Sequence, residues 1–145
     1  MSHPQPALLE WGSKLQIQSI GLRYEVLRKP LDLFFSPEEL LSETKQIHVG
    51  MVAGERVLAV LLLKRLDGNV AKMRQVAVAE SCQGKGLGKQ LVRFSEEICR
   101  EKQVKRIELH ARISAVNFYL SLGYRTQGQE FEEVGIPHMA MYMDL

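Results

Sequence analysis

Cysteine is scarce: Cys82 and Cys99 are the only two in 145 residues. Two thiols cannot staple a small chain into a disulfide framework, so a hydrophobic core has to hold it together. No apolar run approaches the roughly 18 residues that a membrane-spanning helix needs. The opening residues, Met1-Ser2-His3-Pro4-Gln5-Pro6, lack the basic and apolar regions of an export signal. Charge of neither sign dominates. A net charge of +2 gives no electrostatic case for nucleic acid or an anionic membrane as partner. Four histidines and two cysteines stand at no ligand spacing, so no metal site is expected. Repeats, low-complexity tracts and internal linkers are also missing. What is left reads as one domain, residues 1–145, with 46% hydrophobic and 25% charged residues, and a cytoplasmic home is the expectation.

Glycine, by contrast, is concentrated. An apolar run, Val76-Ala77-Val78-Ala79, breaks at Glu80–Cys82 and passes through Gln83-Gly84-Lys85-Gly86-Leu87-Gly88-Lys89 into an amphipathic stretch. Glycine there lets the backbone take φ > 0 and approach a ligand closely. The first N–H groups of the following helix lack intrahelical partners and sit at its positive end. Strand, glycine turn and helix start together make an anion site, typically for a phosphate. Two familiar phosphate loops fail on spacing. The P-loop G-x-x-x-x-G-K-[ST] would need Gly where Gln83 stands and a hydroxyl where Gln90 stands. The dinucleotide pattern G-x-G-x-x-G would put its third glycine on Lys89 or Leu91.

The string that does fit is Q-x-x-G-x-G, Gln83 to Gly88. It resembles the acyl-CoA-binding motif of the GNAT superfamily of N-acetyltransferases. A second segment, Ala115-Val116-Asn117-Phe118-Tyr119-Leu120-Ser121-Leu122-Gly123-Tyr124, is similar to that family's A-x-x-[LF]-Y-x-x-x-G-[FY]. Two motifs in the right order carry far more than one short glycine pattern. Gly135-Ile136-Pro137-His138 further resembles the bacterial ElaA-like branch.

The elements around the motifs follow from periodicity. Lys14–Ile20 alternates like a half-buried strand, and Gly21–Leu33 has helical spacing that Pro30 ends or kinks. Ser36-Pro37-Glu38-Glu39 starts a helix that runs to about Gln46. Ile47–Ala53 and Arg56–Leu66 read as strands joined through Gly54-Glu55; a third strand reaches about Ala79. The helix after the glycines carries Leu87, Leu91, Phe94 and Ile98 on one stripe, with Lys89, Arg93, Glu96 and Glu97 off it. Arg106–Arg112 is a strand, Ser114–Leu122 a short helix, and Tyr124–Val134 with His138–Leu145 a closing antiparallel pair. The resemblance implies an α/β GNAT fold: a mixed, mostly antiparallel central sheet with two splayed parallel strands, flanked by about four helices.

It also implies acetyl transfer from acetyl-CoA to a primary amine by direct attack, with CoA as product. Gln83, Gly84, Lys85, Gly86, Leu87, Gly88 and Lys89 would cradle the pyrophosphate, although either lysine serves equally as a solvated helix-start residue. Val76, Ala77 and Val78 would pair by main chain with the pantetheine arm. A bulge in that strand, best placed at Val78, would turn an amide toward the thioester oxygen. Tyr119 matches the tyrosine that protonates the leaving thiolate; the alternative is a core tyrosine with its hydroxyl on a backbone carbonyl. The family asparagine would fall on Arg112, which leaves Asn117 as the candidate to bond the cofactor arm.

The general base does not carry over, because Ala71 stands where some relatives place a glutamate. A strand of such a sheet should be apolar on both faces. Glu108, His110 and Arg112 instead share one face of theirs, which calls for a cavity or a salt-bridged surface. His110 titrates in the useful range, with Glu108 beside it. Arg23, Arg74 and Arg112 would suit an acceptor bearing a carboxylate or phosphate, with His138 from the final hairpin; surface ion pairs explain the arginines as readily. The acceptor is a small-molecule or peptide amine, and the oligomeric state stays open, a homodimer included. A catalytically silent acyl-CoA sensor or a nucleotide-binding protein would use the same loop.

Overall fold

The computed structural model describes residues 3–145. Met1 and Ser2, at the head of the stretch read for an export signal, lie outside them. Among the described residues, seven strands form one sheet in the order β1-β2-β3-β4-β5-β7-β6. They are β1 (Gln5–Leu8), β2 (Ile47–Ala53), β3 (Arg56–Arg65), β4 (Val70–Val78), β5 (Arg106–Arg112), β6 (Arg125–Glu133) and β7 (Ile136–Asp144). Every neighbouring pair is antiparallel except β4–β5. Four α-helices accompany them: α1 (Lys14–Arg23), α2 (Pro37–Leu41), α3 (Leu87–Glu101) and α4 (Val116–Ser121). No described helix is long and apolar enough to cross a membrane.

Lys14–Ile20 is helical, not a strand. Ser13 caps it by accepting from the Gln16 N–H, and the helix buries Gln16, Ser19 and Arg23 while exposing Ile17. Polar residues inside and an isoleucine outside invert the pattern on which periodicity relies. The first strand is Gln5–Leu8 instead. From Tyr24 the helix widens into one π turn, and a tight turn through Pro30 ends at Asp32 in the left-handed region.

The Ser36 cap forms as expected, its side chain accepting from Glu39 N–H. However, α2 stops at Leu41 rather than Gln46. Ser42 and Thr44 turn their hydroxyls back onto the carbonyls of Glu39 and Leu41, and tight turns carry the chain to Gln46. From Ile47 onward the strands, turns and helices fall close to where spacing places them. One exception is a face: Glu96 is 1% exposed, held by Arg93 and by the Tyr124 hydroxyl at 2.9 Å.

Two irregularities matter for function. The β4–β5 ladder covers only Val70–Lys72 against Arg106–Glu108, and past it the strands part. The β4 edge facing β5 is therefore without a ladder partner from Met73 on. The second is a bulge between β3 and β4, where Gln75 and Val76 together oppose Leu61 and Gln75 takes φ +56°.

Candidate active site

Parallel strands that part leave an opening between them, and α3 and α4 wall it. A cavity of about 640 Å³ fills the upper part, lined by Val76–Val78, Cys82, the glycine loop and Ser114, Ala115, Phe118 and Tyr119. Its glycines have different reasons. Gly84 and Gly86 sit at φ +78° and +81°, where an L side chain is strained. Gly88 has ordinary φ, but a Cβ there would lie 3.3 Å from Phe118 Cζ. Gly86 is the N-cap of α3 and offers no side-chain acceptor, so the first N–H groups of the helix stay open toward an anion. The Gln83 amide donates to Val78 O at 3.1 Å and ties the loop to the end of β4.

Most of the sequence-expected cofactor residues meet here: Val76, Ala77, Val78, Gln83, Gly84, Gly86, Leu87, Gly88 and Lys89 all line the cavity. Lys85 sits exposed on the loop outside it. Asn117 is exposed on the outer side of α4, and Phe118 takes the inward position. The bulge lies at Gln75–Val76 rather than at Val78, which pairs regularly with Ala59.

Tyr119 is 5% exposed, lines the large cavity and a second one beside it, and among the described residues its hydroxyl has no hydrogen-bond partner. Burial pushes its phenol above the usual range, so the ring stays protonated at neutral pH. Tyr124, 5.7 Å away between ring centroids, is the opposite case, its hydroxyl donating to Glu96.

The second cavity, about 170 Å³, opens toward β5 and the β6–β7 hairpin. His110 lines it, with Nδ1 3.0 Å from Glu133 Oε1 and its ring edge against Phe131. Glu133 was invisible to the sequence reading. Folding back the closing hairpin at Val134-Gly135 would have found it, since Phe131 opposes His138 and Glu133 shares the Phe131 face. His138 is 4% exposed, its Nε2 3.7 Å from Glu133 Oε2. Partial burial pushes the Glu133 carboxyl up, but the His110 hydrogen bond and the nearby His110, His138 and Lys72 charges outweigh it and leave it below its ordinary value.

Two expected residues end elsewhere or change meaning. Glu108 lines neither cavity that Tyr119 touches; it stands where β4 and β5 are still paired, 3.5 Å from Arg106 Nε. Sharing a strand face with His110 gave it the right side but the wrong height. Arg23 is fully buried, bidentate to Glu43 at 2.7 and 2.9 Å, with Nε 3.3 Å from Gln75 Oε1. It is a pillar under the bulge, not a contact for an acceptor. Arg74 and Arg112 do line the small cavity. No group of His, Cys, Asp and Glu with metal-holding geometry occurs among the described residues.

The comparisons with known proteins agree with this geometry. The family model described as an acetyltransferase (GNAT) domain matches residues 32–145. The chain belongs to the GNAT acetyltransferase family. GNAT acetyltransferases use acetyl-CoA, and the open helix start, apolar cavity and free β4 edge fit that group. The uncharacterized Bacillus subtilis protein YyaT is 38% identical over 81 residues, 56% of this chain and 55% of its own length. The chain thus spans about half the length of the curated relatives it matches. A Bacillus subtilis acetyltransferase solved in complex with CoA superposes with a TM-score of 0.72 at 22% identity, covering 99% of both chains. Escherichia coli ElaA superposes at 0.79 with 21% identity, covering 98% of this chain and 99% of its own. At such identities the fold alone is shared, and the ElaA-like branch is one neighbour among many.

Proposed function

We propose that the chain transfers an acetyl group from acetyl-CoA to a primary amine by direct attack, both substrates sitting together in the β4–β5 opening. The observation that carries this reading is Tyr119, a buried tyrosine with no described partner for its hydroxyl, at the junction of the two cavities. A packing tyrosine in this fold looks like Tyr124, with its hydroxyl already donating a hydrogen bond to a carboxylate.

Bound acetyl-CoA supplies the acetyl group as a thioester. Loop and first-turn N–H groups of Gln83–Lys89 hold its phosphates, with Lys89 and the exposed Lys85 adding charge. Val76–Val78 offer their open edge as a strand partner to an extended arm. The bulge at Gln75–Val76 takes over the part expected of Val78 and frees an amide to polarise the carbonyl. His110, oriented by Glu133, accepts the amine proton through the ring nitrogen that Glu133 does not engage. The N–C bond forms, the C–S bond breaks, and Tyr119 gives its proton to the departing sulfur. The same reading sees residues 1–145 as a single catalytic domain working in the cytoplasm; Gly135–His138 alone supports an ElaA-like assignment.

Initial-rate kinetics over a panel of primary amines test it. Intersecting double-reciprocal lines, with CoA release strictly dependent on the amine, are expected. Saturable acetyl-CoA binding with no CoA release from any amine would leave the silent sensor as the answer.

A further inference from the structure

Acetyl transfer needs only an amine, yet the small cavity carries more. Arg112 is the first addition. Its half-buried guanidinium donates to Leu27 O at 2.9 Å and, among the described residues, pairs with no carboxylate. The other arginines of this cavity are differently placed. Arg28 grips Glu39, and Arg74 reaches Gln46 at 2.8 Å and Glu43 at 3.7 Å. A guanidinium drawn partly out of water is costly unless an anion answers it, and the neighbouring charge of Arg28 adds to that cost. Arg112 also lines both cavities, so a small molecule bound to it sits where the two meet.

The second addition is a pole of opposite sign. Glu133, bonded to His110 and flanked by His138, lines the same small cavity. His138 stands across the β5–β7 ladder from Arg112, which places the two poles within one compact site. The third is size. At about 170 Å³ the cavity falls below the roughly 300–1,000 Å³ of drug-sized ligand sites.

Resting on the acetyl-transfer reading, we infer that the acceptor is a compact amine bearing a carboxylate, of the amino-acid class. Arg112 binds the carboxylate as a two-pronged donor, and the Glu133–His110 end receives the ammonium. A polycationic acceptor such as an aminoglycoside or a basic peptide would bring like charge against Arg112.

The test is CoA release at saturating acetyl-CoA from the twenty amino acids, their carboxamides and ethanolamine phosphate, with wild type, Arg112→Gln and Arg112→Lys. An accepted acid should exceed its carboxamide by roughly 10–100-fold in kcat/KM, through KM, the range of a charged hydrogen-bonded contact. Arg112→Gln should bring that ratio close to one, and Arg112→Lys should keep part of the preference. Carboxamides used as well as acids, a preference for the phosphate ester, or an unchanged ratio in Arg112→Gln would overturn the inference and leave acetyl transfer standing. Silence from every amine, in protein that binds acetyl-CoA, would remove the acetyl-transfer reading and the inference with it.

Discussion

The two ends of the β4–β5 opening are built from different materials. The proposed donor end is main chain and apolar surface: two glycines at positive φ, a third that lets Phe118 approach, and a strand edge without a ladder partner. The proposed acceptor end is side chains, held mostly by other side chains: His110 on Glu133, and Arg74 against Glu43, which itself clamps Arg23 beneath the bulge, with Arg112 on the backbone carbonyl of Leu27. A backbone site is dictated locally, because few residues other than glycine tolerate its conformations. A side-chain site is dictated by tertiary contacts, and its chemistry can change without touching the backbone. The two ends meet at Tyr119, which lines both.

The hardest way to break the acceptor end from a distance is Glu43→Ala. It leaves the Arg23 guanidinium, 0% exposed, without its bidentate partner and loosens Gln75 at the bulge. Removing one partner of such a pair costs about 3–5 kcal/mol, read as a fall in the denaturation midpoint. A loss below 1 kcal/mol would mean that water already reaches Arg23.

Gly88→Val attacks the donor end alone. Its side chain meets the Phe118 ring and pushes it into the large cavity, an overpacking of about 1–3 kcal/mol. Acetyl-CoA affinity should drop by about 10-fold or more in calorimetry, while the KM for the amine moves little. Equal weakening for both substrates would erase the division between the ends.

Tyr124→Phe sharpens the contrast between the two neighbouring tyrosines. It strips a buried Glu96 of its phenol partner and should cost about 1–2 kcal/mol of stability. Its kcat should stay within about two-fold, since Tyr124 lines neither cavity. A collapse of kcat would show that the pair acts as a unit.

The smallest effect lies at His48, next to Glu43. Burial holds its pKa below 6.5, against the raising influence of the Glu43 carbonyl bond. Above 6.5 both folded and unfolded chains carry it neutral. As pH falls below 6.5 the unfolded chain takes the proton first, so stability declines until the native ring also titrates. Denaturation midpoints from pH 7.5 to 5 should fall in wild type and flatten in His48→Phe; parallel curves would remove His48 as the cause.

What was legible in the sequence follows the same division. Gln83–Lys89 and Tyr119 were readable because a phosphate loop and a helix turn are short-range objects with fixed spacing. The strands from Ile47 onward were readable because their alternation and turn residues agree. Lys14–Ile20 misled because the inward residues of α1 are Gln16, Ser19 and Arg23, each buried with a polar contact, that of Arg23 reaching Glu43 twenty positions away. Arg23 and Glu108 had plausible chemistry at the wrong address, one inside a salt bridge and the other below the point where the strands part. Glu133 went unseen because a hairpin delivers it to His110 across 23 positions of sequence.

Tyr119→Phe tests the central claim most directly. Acetyl-CoA affinity by calorimetry and the denaturation midpoint should match wild type, because the hydroxyl has no described protein partner to lose. Turnover of an accepted amine should fall by about 10²-fold or more, the scale of a lost general acid. Turnover within two-fold of wild type, with folding and binding intact, would contradict the account and reduce Tyr119 to packing.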